Sequence, residues 1–317
     1  MIEKKEIDKA INKIKNSKNI LITTHVNPDA DAIGSSLALF NFLEENFPEK
    51  NVKIIIDGFC PQYLKFLKNS SQINNIKDIK EKNEFDVVII LDCSSLERIG
   101  SAKNLIKNFP IINIDHHLEK SEFDYVLKDV RVSSTTQILY NLLKSFDKNL
   151  SKEVAECLYT GLIQDTGNFI WNIYPETFYI ASELTALGAE GEKISTQLFS
   201  NNSYNKLKLI AYVLSTMKYI EDKKLLYSII PKEQFEELNA IDEDTEGIIE
   251  LLKSFNKADI TVLIKEDKNI KKGSIRSRKE GADKIANVFN GGGHSKAAGF
   301  RTDKSFKEII EIIKENI

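Results

Sequence analysis

The sequence predicts an α/β protein: an N-terminal, mostly parallel sheet flanked by helices, followed by a smaller C-terminal α/β domain. Three observations predict it. Four runs in the first half are rich in Ile and Val and apolar almost throughout, as strands buried on both faces require. Stretches of helical length lie between and after them, which implies right-handed crossovers and an open, helix-covered sheet. The chain has 317 residues, 42% hydrophobic and 29% charged, enough for two domains of ordinary globular composition.

Taken in order, "MIEKKEIDKAINKIKNSKN" reads as a charged amphipathic helix without the unbroken apolar core of a signal peptide. "NILITTHV" (19–26) is the first strand and "DAIGSSLALFNFLEEN" (31–46) the helix after it. Strands follow at "VKIIID" (52–57), "FDVVIILD" (85–92) and "PIINID" (110–115). Helices are expected over 134–146, 151–167 and 176–188. After Gly188 the composition turns polar, placing a first domain over 1–190, a linker over 191–207 and a second domain over 208–317. In that second domain "KLLYSII" (224–230), "ADITVLIKED" (258–267) and "GSIRSR" (273–278) read as strands. "ADKIANVF" (282–289) reads as a helix, "NGGGHSKAAGF" (290–300) as a loop and 304–316 as a final helix.

Composition excludes several function classes. A net charge of −3 gives no basic coat for long nucleic acid. No stretch approaches the ~20 apolar residues that cross a bilayer. Cys60, Cys93 and Cys157 stand singly, so neither a disulfide framework nor a zinc knuckle is expected, and a reducing cytoplasm is the expected location.

Chemistry concentrates at the strand ends. The chain has 4 histidines, and two of them are adjacent in "NIDHHLEK" (113–120). His25, Asp29 and Asp31 follow the first strand, Asp92 the third, and Asp115, His116 and His117 the fourth. In open α/β sheets ligands bind beyond the carboxyl ends of the strands. Asp165, in "GLIQDTGNF", comes from a further segment. Singly, each has an ordinary reading: Asp29 or Asp31 as a helix cap, Asp92 as a turn residue. Together, Asp and neutral imidazole without cysteine suit a divalent cation such as Mn²⁺. Carboxylates converging without a cation would repel one another.

"HVNPDADAIGS", "VVIILDCSSLERIG", "INIDHH" and "YTGLIQDTGNF" resemble the motifs of the DHH phosphoesterase superfamily, and "GSIRSR" with "NGGGHSKAAGF" resembles the associated DHHA1 domain. The similarity spans nearly the whole chain and is greatest to the bifunctional nanoRNase/pAp-phosphatase type. Ala30 departs from a common Gly and Gln164 from a usual Thr; neither removes a ligand. The resemblance implies two Mn²⁺ ions, one on His25, Asp29 and Asp92, the other on Asp31, Asp92, His116 and Asp165, with Asp92 bridging. It implies that Asp115 orients an imidazole and that His117 faces the scissile phosphate.

In the second domain, Ser274, Arg276, Arg278, Gly292, Gly293 and His294 are the expected substrate-binding residues. Arginine forks suit phosphate, and glycine lets backbone amides approach an anion. The implied enzyme hydrolyses short substrates held across the interdomain cleft: single-stranded RNA oligonucleotides of a few residues, pAp or pApA, not long duplexes and not a membrane. The alternatives are a cyclic-dinucleotide phosphodiesterase on the same domains, a more distant inorganic pyrophosphatase, and a non-catalytic nucleotide sensor. Oligomeric state stays open, a homodimer included. Trp171 reads as a packed or half-buried core residue or a base-stacking one, and Arg98 as a ligand residue or a surface ion-pair partner.

Overall fold

The computed structural model describes residues 2–79, 84–106, 109–118 and 123–317, with the His294 side chain outside the described part. The chain forms two compact units, Met1–Asn201 and Asn202–Ile317.

The first unit is built on six parallel strands, β1 (Asn19–Thr23), β2 (Asn51–Ile56), β3 (Ile73–Asn75), β4 (Val87–Leu91), β5 (Ile111–Asp115) and β6 (Tyr125–Lys128), in the order β3-β2-β1-β4-β5-β6. The central strands are apolar because both faces are covered; all five residues of β4 are buried. Helices α1 (Lys4–Asn16), α2 (Ala30–Asn46), α3 (Thr135–Lys144), α4 (Lys152–Asp165), α5 (Pro175–Ala186) and α6 (Gly191–Ser195) accompany the sheet. Ile20, Ile22, Val87 and Ile89 join side chains from α2, α3 and α4 in the main core. The other face (Leu21, Ile55, Val88, Ile90) closes a second cluster with Ile99 and Ile106. α2 lies unusually close to α4: a Cβ on Gly34 would come within 2.6 Å of the Cys157 carbonyl oxygen. All residues of α2 from Ala30 to Leu43 are buried, so this helix lacks a solvent stripe over its first three turns.

The short strands β3 and β6 were not legible in the sequence. "INN" and "YVLK" carry no long apolar run, and only pairing to β2 and β5 makes them strands. The stretch expected as a linker over 191–207 is mostly helical. α6 and the π-turn Thr196–Ser200 continue the first unit, with Ile194 in its core, and a helix of the second unit already begins at Tyr204. Polar composition there marks an exposed helix surface.

The second unit holds α7 (Tyr204–Thr216), β7 (Lys218–Ile220), β8 (Leu225–Ile230), α8 (Lys232–Leu238), α9 (Ile248–Lys253), β9 (Ile260–Asp267), β10 (Ile270–Ser277), α10 (Ala282–Asn287), β11 (Gly292–His294), β12 (Ala297–Thr302) and α11 (Phe306–Glu315). Its sheet runs β11-β12-β10-β9-β8-β7, parallel between β8 and β9 and antiparallel elsewhere. The segment 290–300, expected as a loop, is largely a tight hairpin. Gly293 (φ 140°) lies so close to β12 that a Cβ would sit 2.5 Å from the Ala298 Cα. Its glycines therefore serve strand packing as well as turning. Among the described residues no helix is long and apolar enough to cross a membrane.

Candidate metal centre

The carboxyl ends of β1, β4 and β5 and the two termini of helices α2 and α4 deliver the site. β1 leads through Thr24, whose hydroxyl donates to the Leu91 carbonyl (2.7 Å), into His25. The His25 Nδ1 lies 2.9 Å from the Val26 carbonyl oxygen, which leaves Nε2 toward the Asp92 Oδ2 at 3.5 Å. A backbone carbonyl on one ring nitrogen is a common way to free the other for a metal. Asp29 caps α2 as its ordinary reading requires, Oδ1 accepting from the amides of Asp31 and Ala32 at 3.1 Å each. Its carboxylate also falls in a donor group with His25 and Asp92. Capping and ligation are both open to one carboxylate.

Asp31 is fully buried. Its Oδ2 accepts from the Thr135 amide (2.7 Å) and its Oδ1 from the Thr136 amide (3.0 Å), two of the unpaired amides at the N-terminus of α3. The Thr135 hydroxyl donates to the Asp92 Oδ1 at 2.9 Å. Asp165 occupies the last residue of α4, the end of a helix where a carboxylate is least favoured. Its Oδ2 lies 3.1 Å from the His116 Nε2, which is also 3.6 Å from Asp92 and 3.9 Å from Asp31.

Among the described residues three donor groups result: His25, Asp29 and Asp92; Asp31, His116 and Asp165; and Asp92, His116 and His117, with the ligand atoms of each within 4.8 Å of one another. The third group is weakened by Asp115. Its Oδ1 sits 2.8 Å from the His117 Nδ1, against 3.5 Å from that nitrogen to Asp92. Asp115 thus orients His117, the imidazole expected to face substrate, and not His116.

Electrostatics fit a cation. Burial raises the Asp31 carboxyl well above its ordinary range, and the charges of Asp92 and Asp165 raise it further. Burial likewise lifts Asp29, and it lifts Asp165 to about 6 against the opposing His116. Burial lowers the imidazoles, but Asp92 with Asp29 and the Val26 carbonyl together outweigh it at His25 (about 9), and Asp165 with Asp92 and Asp31 together outweigh it at His116 (about 10). Burial also acts to raise Asp92, but the His25 hydrogen bond and the charges of His116 and His117 hold it below the usual carboxylate range. Without a cation, protons must neutralise this cluster; a divalent metal on the same oxygens and nitrogens replaces them. The donor set can hold metal.

All six expected ligands, with Asp115 and His117, therefore converge. The sequence reading missed Thr135 and Thr136, which hold Asp31 and Asp92, and Ser94 and Lys128, which touch Asp115. It also missed Gly161, where a Cβ would sit 2.6 Å from the Asp31 Oδ1. Ser and Thr ahead of an apolar run in "SSTTQILY" did signal a helix start whose free amides could receive a carboxylate. Trp171 is 46% exposed and lies over Gly167, half-buried and not fully packed. The Arg98 carbonyl accepts from the Val26 amide, which ties the loop after β4 to the His25 segment.

In the second unit the register brings the expected residues into two cross-strand rows. Ser274, Gly299 and Gly292 form one; Arg276, Ala297 and His294 the other. Arg276 pairs with Glu250 of α9 and donates Nη1 to the Ile275 carbonyl (3.1 Å). Arg278 departs from expectation. It lies beyond the end of β10, and its Nη2 donates to the carbonyls of Lys253 (2.6 Å) and Phe255 (3.3 Å), satisfying the C-terminal end of α9.

Residues 19–162 match the N-terminal domain of the DHH family, and residues 222–317 match the DHHA1 domain. The chain is 29% identical over 293 residues to the probable bifunctional oligoribonuclease and PAP phosphatase NrnA of Streptococcus mutans, covering 90% of each chain. The crystal structure of an exopolyphosphatase-related protein from Bacteroides fragilis superposes with a TM-score of 0.94 at 30% identity, over 100% of this chain and 96% of that one. RecJ of Thermus thermophilus in complex with Mn²⁺ shares the fold at a TM-score of 0.59 and 13% identity, over 98% of this chain and 54% of RecJ. With both domains matched in order, the chain belongs to the DHH family of phosphoesterases and carries a C-terminal DHHA1 domain.

Proposed function

We propose that this phosphoesterase acts on short nucleotides: it degrades oligoribonucleotides of a few residues to mononucleotides and converts pAp to AMP, in the cytoplasm and with two Mn²⁺ ions. The observation that carries the reading is the position of Asp92 in two donor groups, on the His25 side through Oδ2 and on the His116 side through Oδ1. His25, Asp29 and Asp92 would hold one ion, and Asp31, Asp92, His116 and Asp165 the other. Two such ions supply Lewis-acid polarisation of the phosphoryl group and activation of water. The name of the Streptococcus relative and the manganese in RecJ support the choice of substrate and metal.

The chain's own residues do the rest. Thr135 and Thr136 hold the Asp31 and Asp92 oxygens in place before substrate arrives. His117, its Nδ1 held by Asp115, would face the scissile phosphate or its leaving oxygen. Burial of Asp31, Asp92 and Asp115 excludes water from their inner faces and strengthens each contact. Ser274, Arg276, Gly292, Gly293 and His294 would take a phosphate that does not react, which favours short substrates recognised at one end.

Product analysis tests the reading: pAp, pApA, cyclic di-AMP and a labelled five-nucleotide RNA, each with Mn²⁺, and with Asp92→Ala protein as the blank. Mononucleotides from the RNA and AMP from pAp are expected. Turnover of cyclic di-AMP alone would replace this reading with the cyclic-dinucleotide one.

A further inference from the structure

We propose that Lys128 and Ser94 are positioning residues for His117, acting through Asp115; the inference rests on the reading that His117 contacts substrate. Asp115 is fully buried, and both its oxygens are occupied. Oδ1 faces the His117 Nδ1 at 2.8 Å and accepts from the His117 amide at 3.3 Å. Oδ2 accepts from the Lys128 Nζ at 2.9 Å and from the Ser94 hydroxyl, and that hydroxyl in turn accepts from Lys128 at 3.0 Å. A carboxylate offers about four lone-pair sites, so four donors leave it no free rotation.

The brace is assembled from three adjacent strands. Ser94 follows β4 two residues after Asp92, Asp115 ends β5, and Lys128 ends β6. Asp115 and Lys128 are direct partners in the parallel β5–β6 ladder, so their side chains leave the same face of the sheet. The Lys128 side chain is 15% exposed. An ammonium so nearly buried, with two oxygens in reach, is a countercharge for a buried carboxylate and not a solvated surface group.

This arrangement gives Lys128 a specific effect. A buried aspartate that keeps one strong partner can turn about its Cβ–Cγ bond and carry the imidazole with it. With Lys128 and Ser94 fixing the far oxygen, the near oxygen stays on Nδ1, and the His117 ring keeps one orientation and one tautomer. Lys128 needs no contact with substrate or metal to do this.

The test is a mutant cycle on Mn²⁺-loaded, full-length protein. Lys128→Met and Ser94→Ala are each measured alone and combined with His117→Ala, reading kcat, KM for pAp and bound manganese. Each single change is expected to lower kcat by about 10- to 100-fold, the usual cost of losing an outer partner of a site residue. KM and manganese content should not change, and Lys128→Arg, which keeps the cation, should recover most of kcat. In the His117→Ala background neither change should cost anything further, because the brace then has nothing to orient. The same fold loss in both backgrounds would overturn the inference, as would an unaltered kcat in Lys128→Met. If Lys128→Met fails to fold, Ser94→Ala decides through the same cycle. Full kcat in His117→Ala alone would instead sink the reading of His117 on which the inference rests, so the two failures are distinct.

Discussion

Asp92 adopts a left-handed backbone conformation (φ 55°), which aspartate tolerates better than most residues with a Cβ. Directly past β4, that conformation places a nearly buried carboxylate between His25 and His116. The neighbouring histidines differ just as sharply. The His116 Nε2 faces three carboxylates, whereas the His117 Nδ1 is held by Asp115. His116→Ala should therefore lower bound metal, while His117→Ala should keep it and slow turnover; metal analysis of both purified variants decides, and equal metal loss would refute the division. Protonation adds a pH dependence. In the metal-free protein His25 (about 9) and His116 (about 10) are raised, so both carry protons at neutral pH that a metal must expel. The sign is fixed: affinity for Mn²⁺ should rise as pH rises toward 9, with protons released on binding. Calorimetric titration in buffers of different ionisation enthalpy reads that release directly.

At the scale of elements, the site depends on how closely α3 and α4 approach Asp31. The first amides of α3 supply its two hydrogen bonds, and α4 passes so near that only glycine fits at 161. A Cβ there would also meet the Thr136 side chain, 2.5 Å from Cγ2. Gly161→Ala gains helix propensity, worth about 1 kcal/mol, yet overpacking a tight interface costs about 1–3 kcal/mol. The expected outcome is a protein of equal or lower stability whose metal affinity falls, because the strain bears on Asp31. Thermal unfolding with and without Mn²⁺ measures both; a variant more stable and fully metal-binding would contradict the packing argument.

At the scale of the whole molecule, every donor of the metal centre lies in the first unit, and Ser274, Arg276 and the glycine hairpin lie in the second. Arg276→Ala should consequently raise KM for pAp and short RNA while leaving metal content alone. Loss of one charge-assisted contact, about 1.5–3 kcal/mol, corresponds to roughly 10- to 150-fold. Bis-p-nitrophenyl phosphate has no second phosphate and should be nearly indifferent. If both substrates suffer alike, Arg276 serves the fold, through Glu250, and the division of roles between the units fails.

By itself the sequence determined the parallel core and brought forward the Asp and His residues that converge at its edge. Runs such as "VVIIL" are apolar because both faces of β4 are buried, and a local run of that kind is visible without tertiary contacts. Strand-end Asp and His residues were likewise visible, because the carboxyl edge of such a sheet is fixed once its strands are. The strands β3, β6 and β11 were not visible: their residues become strands only through hydrogen bonds to segments distant in the chain or held by glycine packing. The same long-range pairing decided what each polar residue does. It set Lys128 beside Asp115, turned Thr135 and Thr136 onto Asp31, gave Asp115 to His117 and not to His116, and spent Arg278 on the end of α9. Residue type and spacing announce which side chains can do chemistry, but a hydrogen bond is a matter of ångströms between segments, and only the folded chain sets those.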